Sequence, residues 1–74
     1  MQAEATFAIC VQNENYPASL ELRKVYQVLP DVESDRHRML RIVDESGEDY
    51  LYPADYFMKV ELPKPVQDAL LKAA

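Results

Sequence analysis

The stretch M-L-R-I-V-D-E-S-G-E-D-Y-L-Y-P, from Met39 to Pro53, decides the fold. Leu40 and Ile42 alternate with Met39, Arg41 and Val43, which is the period of a half-buried strand, and E-S-G-E then leads directly into D-Y-L-Y-P. Gly47, the only glycine in the chain, supplies the positive φ that a tight connection requires. The spacing therefore predicts a β-hairpin with a loop of about four residues.

Downstream, Pro53 lacks an N–H and closes the second strand of the hairpin. Ala54 to Tyr56 fits one helical turn, and Phe57 to Leu62 a short strand before Pro63 and Pro65. The final P-K-P-V-Q-D-A-L-L-K-A-A starts a helix at Pro65, with Val66, Ala69 and Leu70 on one stripe. A helix of about ten residues is marginal alone and must dock on something to persist. Upstream, Thr6 to Gln12 reads as a strand with Phe7, Ile9 and Val11 on one parity. Asn13 to Ser19 clusters turn formers around Pro17. From Leu20 to Pro30, Leu20, Leu22, Tyr26 and Val28 fall on even positions, which favours a strand, although Ala18 to Val25 also tolerates a helix. Asp31 to Arg38 has no apolar period and reads as an exposed loop.

Five short strands separated by turn signals point to a mainly β fold, a small, strongly bent five-stranded antiparallel barrel with a short C-terminal helix over its open end. That arrangement places Phe7, Ile9, Tyr26, Val28, Leu40, Ile42, Leu51 and Val60 in one core. The alternative is a flatter α+β arrangement with a helix near Ala18 to Val25 packed on four strands.

The chain has 74 residues, enough for one domain spanning 1–74, and 49% of them are hydrophobic, too many for a disordered chain. Eight Lys and Arg against thirteen Asp and Glu give a net charge of -5. That balance disfavours nucleic acid as a partner, since duplex binding needs a basic face. Cys10 stands alone, which excludes an intramolecular disulfide and a cysteine zinc cluster and fits a reducing compartment. Glu4 occupies the place where a secretory leader carries positive charge, and Ala5 to Val11 is too short to cross a bilayer, so a cytoplasmic protein without a membrane partner is expected.

L-Y-P-A-D-Y-F-M-K-V, Leu51 to Val60, resembles the end of SH3 domains, where a strand leads to a proline, a 3₁₀ turn ends in a tyrosine and a last strand follows. More broadly, L-R-K-V-Y-Q-V-L-P-D, L-R-I-V-D-E-S-G-E-D-Y-L-Y-P and V-E-L-P resemble a family of small uncharacterised bacterial proteins with an SH3-like fold. The resemblance implies that Pro53 and Tyr56 match the proline and tyrosine that help to form a groove for proline-rich peptides. The chain departs from that pattern in having no Trp, and the groove's aromatic walls are correspondingly thinned.

The leading functional expectation is a non-catalytic protein-interaction or adaptor module contacting a protein or peptide through Tyr26, Tyr52, Pro53 and Tyr56. The alternative is a homo-oligomer in which the C-terminal helix, with Leu70 and Leu71, docks on another copy; a weak RNA-binding module and a small enzyme rank lower. Arg36, His37, Arg38 and Arg41 form a basic run suited to charged contacts, although Asp31, Glu33 and Asp35 precede it and offer local pairing. Those three carboxylates start like a calcium loop but lack its glycine and terminal glutamate, so no metal is expected. Asp44, Glu45, Glu48 and Asp49 surround the hairpin tip and keep it solvated. His37 has no nearby nucleophile in sequence, Cys10 lies in an apolar strand, and no glycine-rich phosphate loop or nucleophile elbow is present. No catalytic residue and no cofactor is expected.

Overall fold

The computed structural model describes residues 6–73; Glu4 and Ala5, which bear on the leader reading, lie outside them. Five strands, β1 (Thr6–Cys10), β2 (Val25–Leu29), β3 (Met39–Val43), β4 (Asp49–Pro53) and β5 (Phe57–Val60), form one antiparallel sheet in the order β4-β3-β2-β1-β5. Two helices, α1 (Val32–Arg36) and α2 (Lys64–Ala73), and a 3₁₀ turn at Ala54–Tyr56 complete the elements of the described residues.

The β3–β4 hairpin forms where Gly47 predicts it. Asp44 and Glu48 close a loop through Asp44 N–H to Glu48 O at 3.0 Å, and Gly47 takes φ 85° while donating to Asp44 O. The Asp44 carboxylate accepts from the Ser46 backbone at 2.9 Å and its hydroxyl at 2.6 Å, which fixes the tip.

Two local expectations change. The Asp31–Arg38 segment contains a short helix, because Asp31 caps it: its carboxylate accepts from Ser34 N–H at 3.1 Å while its carbonyl accepts from the Ser34 hydroxyl. No helix runs through Ala18–Val25; reverse turns fold this segment, with Leu20 N–H bonded to Tyr16 O and the Asn13 amide to Leu20 O. Both Arg23 N–H to Cys10 O and Cys10 N–H to Lys24 O form, with Arg23 at φ 67°. This bulge delays regular pairing and shortens the second strand to Val25–Leu29.

The sheet is not closed into an SH3-like barrel, nor strongly curled: β4 and β5 stand at its two ends and do not pair. The backbone explains the missing seam. Asp44 N–H to Glu48 O and Ala54 N–H to Arg38 O extend the β3–β4 ladder at both ends, so Asp49, Leu51 and Pro53 turn their backbone groups away from β3. Pro53 has no donor to offer there. On β5, the Val11 N–H to Tyr56 O bond sets the same alternation, leaving Phe57 and Lys59 facing outward. The Phe57 N–H is already bonded to Ala54 O by the 3₁₀ turn. Each edge thus lacks one donor, at Pro53 on β4 and at Phe57 on β5, and Pro53 and Lys59 blunt the edges against further strand pairing.

The core also lies on a different parity from the one expected in β1 and β4. It consists of Ala8, Cys10, Leu20, Tyr26, Val28, Leu40, Ile42, Tyr52 and Phe57. Ile9, Leu51 and Val60, expected in that core, belong to the opposite face of the sheet and are not buried; Phe7 is buried as expected, at 3% exposed, but from that opposite face. The register gives the reason: Ala8 is opposite Tyr26, and Cys10 is opposite Phe57. Small residues on β1 leave room for large rings on its neighbours, so volume rather than hydrophobicity decides which face is inside.

Candidate interaction surface

The four residues expected to meet a partner divide between the core and its rim. Tyr26 and Tyr52 are only 4% and 3% exposed, and each ring carries its hydroxyl to a carboxylate. Tyr52 donates to Asp44 at 2.5 Å; Tyr26 donates to Glu45 at 2.5 Å and accepts from Glu21 N–H at 2.7 Å. Lys24 completes the second group with a 2.6 Å ion pair to Glu45. Burial, and then the bond to Asp44, pushes the Tyr52 hydroxyl up to about 12. Burial and the bond to Glu45 push Tyr26 the same way. These shifts oppose the ionisation that would activate a phenol. Pro53 and Tyr56 are half-buried, and Tyr56 donates to Glu14 O at 3.1 Å. Tyr16, from the turn region, lies edge-on to Tyr52 at 5.0 Å and to Tyr56 at 6.1 Å. The tyrosines are therefore chiefly a packing and hydrogen-bonding device.

The basic run is divided too. Arg36, His37 and Arg38 are exposed where α1 ends. Arg41 lies on β3 and bridges Asp31 at 2.8 Å and Asp49 at 2.9 Å, tying the helix cap to β4 rather than joining the other three. The carboxylates around the hairpin disperse in the same manner: Asp44 to Tyr52, Glu45 to Lys24, Glu48 to the Tyr50 hydroxyl and Asp49 to Arg41. Among the described residues no group of three or more His, Cys, Asp or Glu could hold a metal ion. Cys10 is buried, and burial pushes its thiol up, away from reactive thiolate.

The surface that sequence reasoning missed is the outer face of the sheet. Directly opposed residues of antiparallel strands project from the same side. The register therefore places Met58–Ile9–Val25 in one row, Val60–Phe7–Gln27 in a second and Leu51–Arg41–Leu29 in a third, with Met39 opposite Pro53 and Val43 opposite Asp49. Only Gln27, Arg41 and Asp49 interrupt an otherwise apolar face, and the last two are paired with each other. Phe7 is buried, the central aliphatic residues are half-buried, and Met58 and Leu51 are 63% and 41% exposed. The signal lay in β3, where Met39 and Val43 are as apolar as Leu40 and Ile42 and leave no polar parity.

No protein-family profile, curated protein or solved structure matches the chain. Among the described residues no helix is long and apolar enough to cross a membrane.

Proposed function

We propose that this chain is a non-catalytic protein-interaction module whose contact surface is the outer face of its sheet, and whose partner presents an apolar, weakly charged protein surface. One observation carries the reading: the sheet is apolar on both faces. An antiparallel sheet with one face in water ordinarily carries polar side chains there. Here the outward positions include Ile9, Val25, Leu29, Met39, Val43, Leu51, Met58 and Val60. The edges blunted by Pro53 and Lys59 support contact through the face rather than by addition of a strand. A reducing cytoplasm suits the lone buried Cys10.

The test places a photoreactive phenylalanine analogue at Met58, on the outer face, or at Tyr56, on the tyrosine side, in the full chain in living cells. Light-dependent protein adducts from position 58 and none from position 56 are expected. Adducts from position 56 alone, or from neither, contradict the proposal.

A further inference from the structure

Separately from the outer face, we infer that residues 13–24 form a strap that lifts from the inner side of the sheet as one unit while the sheet stays folded, and that Glu45 is the buckle holding it down.

The strap connects β1 to β2. Within it only Leu20 is buried; Asn13 and Ser19 are half-buried and the rest exposed. Segments with few buried apolar contacts open at lower cost than the core they cover. Leu20 belongs to the same buried cluster as Cys10, Tyr26, Tyr52 and Phe57, so lifting the strap uncovers that cluster.

Three contacts converge on Glu45, in the β3–β4 loop. Its backbone N–H donates to Ser19 O at 3.1 Å and its carboxylate pairs with Lys24 Nζ at 2.6 Å. The same carboxylate accepts from the Tyr26 hydroxyl, whose oxygen in turn accepts from Glu21 N–H at 2.7 Å. The strap is thus fastened through one residue on both sides of Leu20. Its first arm moves with the second, because the Asn13 amide donates to Leu20 O and Leu20 N–H to Tyr16 O. On that arm the ties to the body are lighter: the Tyr16 ring lies edge-on to Tyr52, and the Tyr56 hydroxyl donates to Glu14 O at 3.1 Å.

The root of the strap opposes closure. Arg23 has φ 67° while its N–H is bonded to Cys10 O, a left-handed conformation that is costly for a residue with a side chain. Opening lets Arg23 relax, so closure depends on the buckle.

Native-state hydrogen exchange of the full chain in low urea tests this. The amides of Glu21, Arg23 and Glu45, whose bonds cross between strap and body, should exchange through one shared opening. That opening should be easier than the one that frees the amides joining β3 to β4, and should depend little on urea because little surface is exposed. Glu45→Ala removes both carboxylate contacts and should accelerate exchange of Glu21 and Arg23 at least about tenfold. Lys24→Ala, which spares the Tyr26 bond, should accelerate it about threefold. Continued protection of the β3–β4 amides checks that both variants fold. Exchange of the three strap amides only together with the β3–β4 amides, at unrelated rates, or at rates indifferent to both substitutions overturns the inference.

Discussion

Tyr52 reaches from β4 through the core and donates its hydroxyl to Asp44 at 2.5 Å. The pair joins a residue expected at a binding surface to one expected at a solvated loop tip, and makes both structural. Asp44 is 6% exposed, so its carboxylate depends on Tyr52 and Ser46 in place of water. Tyr52→Phe keeps the ring but withdraws one of these donors, and should cost about 1.5–3 kcal/mol in urea unfolding. Tyr50→Phe removes an exposed hydroxyl bonded to Glu48 and should stay within about 0.5 kcal/mol of the parent.

The same contacts give stability a pH dependence with two limbs. Burial raises the Asp44 carboxyl, but hydrogen bonds from Ser46 and Tyr52 outweigh it and leave it below its ordinary value; Lys24 and then Tyr26 lower Glu45. For lowered acids, the stabilisation is present above the unfolded values of about 4 and is lost as pH falls through the folded ones. Tyr52 behaves oppositely. Its contribution is full below the unfolded value of about 10 and is lost as pH rises through about 12. Thermal melts from acid to alkali should show a plateau between these limbs, and Asp44→Asn should flatten the acid one.

Backbone conformation separates two glycine substitutions by sign. Arg38 sits at φ 57° between α1 and β3, where a side chain costs about 1–2 kcal/mol. Allowing for the greater freedom of unfolded glycine, Arg38→Gly should stabilise by about 0.5–1 kcal/mol. Gly47 has φ 85° and nothing within 4 Å of an added Cβ, so Gly47→Ala should cost about 1 kcal/mol through backbone strain alone. Denaturant melts of the two variants should move in opposite directions.

The small residues of β1 should resist enlargement. Ala8 is fully buried opposite Tyr26, and Ala8→Leu should cost about 1–3 kcal/mol by overpacking. Met58→Leu, at an exposed outer position, should change stability by less than about 0.5 kcal/mol. Equal tolerance at both positions in urea unfolding would show that the assignment of faces is wrong.

The local elements were legible where one residue type forces a conformation. Gly47 marked the hairpin and Pro53 the end of β4, and Pro65 falls in the first turn of the last helix, which begins at Lys64. The β1 parity was not legible, because Phe7 and Ile9 outweigh Ala8 and Cys10 on any hydrophobicity scale, and only the rings of Tyr26 and Phe57 across the ladder show why small residues belong inside. The α1 helix was missed since Asp31 acts as a cap within a run that looks merely charged. Closure failed as an inference because the engagement of Phe57 N–H by Ala54 O is invisible until the turn is built. The burial of Tyr26 and Tyr52 was illegible for a related reason: exposed tyrosines and core tyrosines read alike in sequence, whereas bonds to Glu45 and Asp44 hold these two inside.

The central claim is that Ala8, Cys10 and Tyr52 are sealed on the inner face of the sheet while Leu51 and Met58 stand exposed on the opposite face. The chain's single native thiol tests it directly, by the rate at which a small disulfide reagent labels Cys10 in the folded protein, compared with the thiol of Met58→Cys in a Cys10→Ser background. Cys10 is 0% exposed and Met58 63%, so Cys10 should react at least about a hundredfold more slowly, limited by opening of the core. Labelling of Cys10 as fast as the thiol at position 58 would place β1 the other way round and contradict the account.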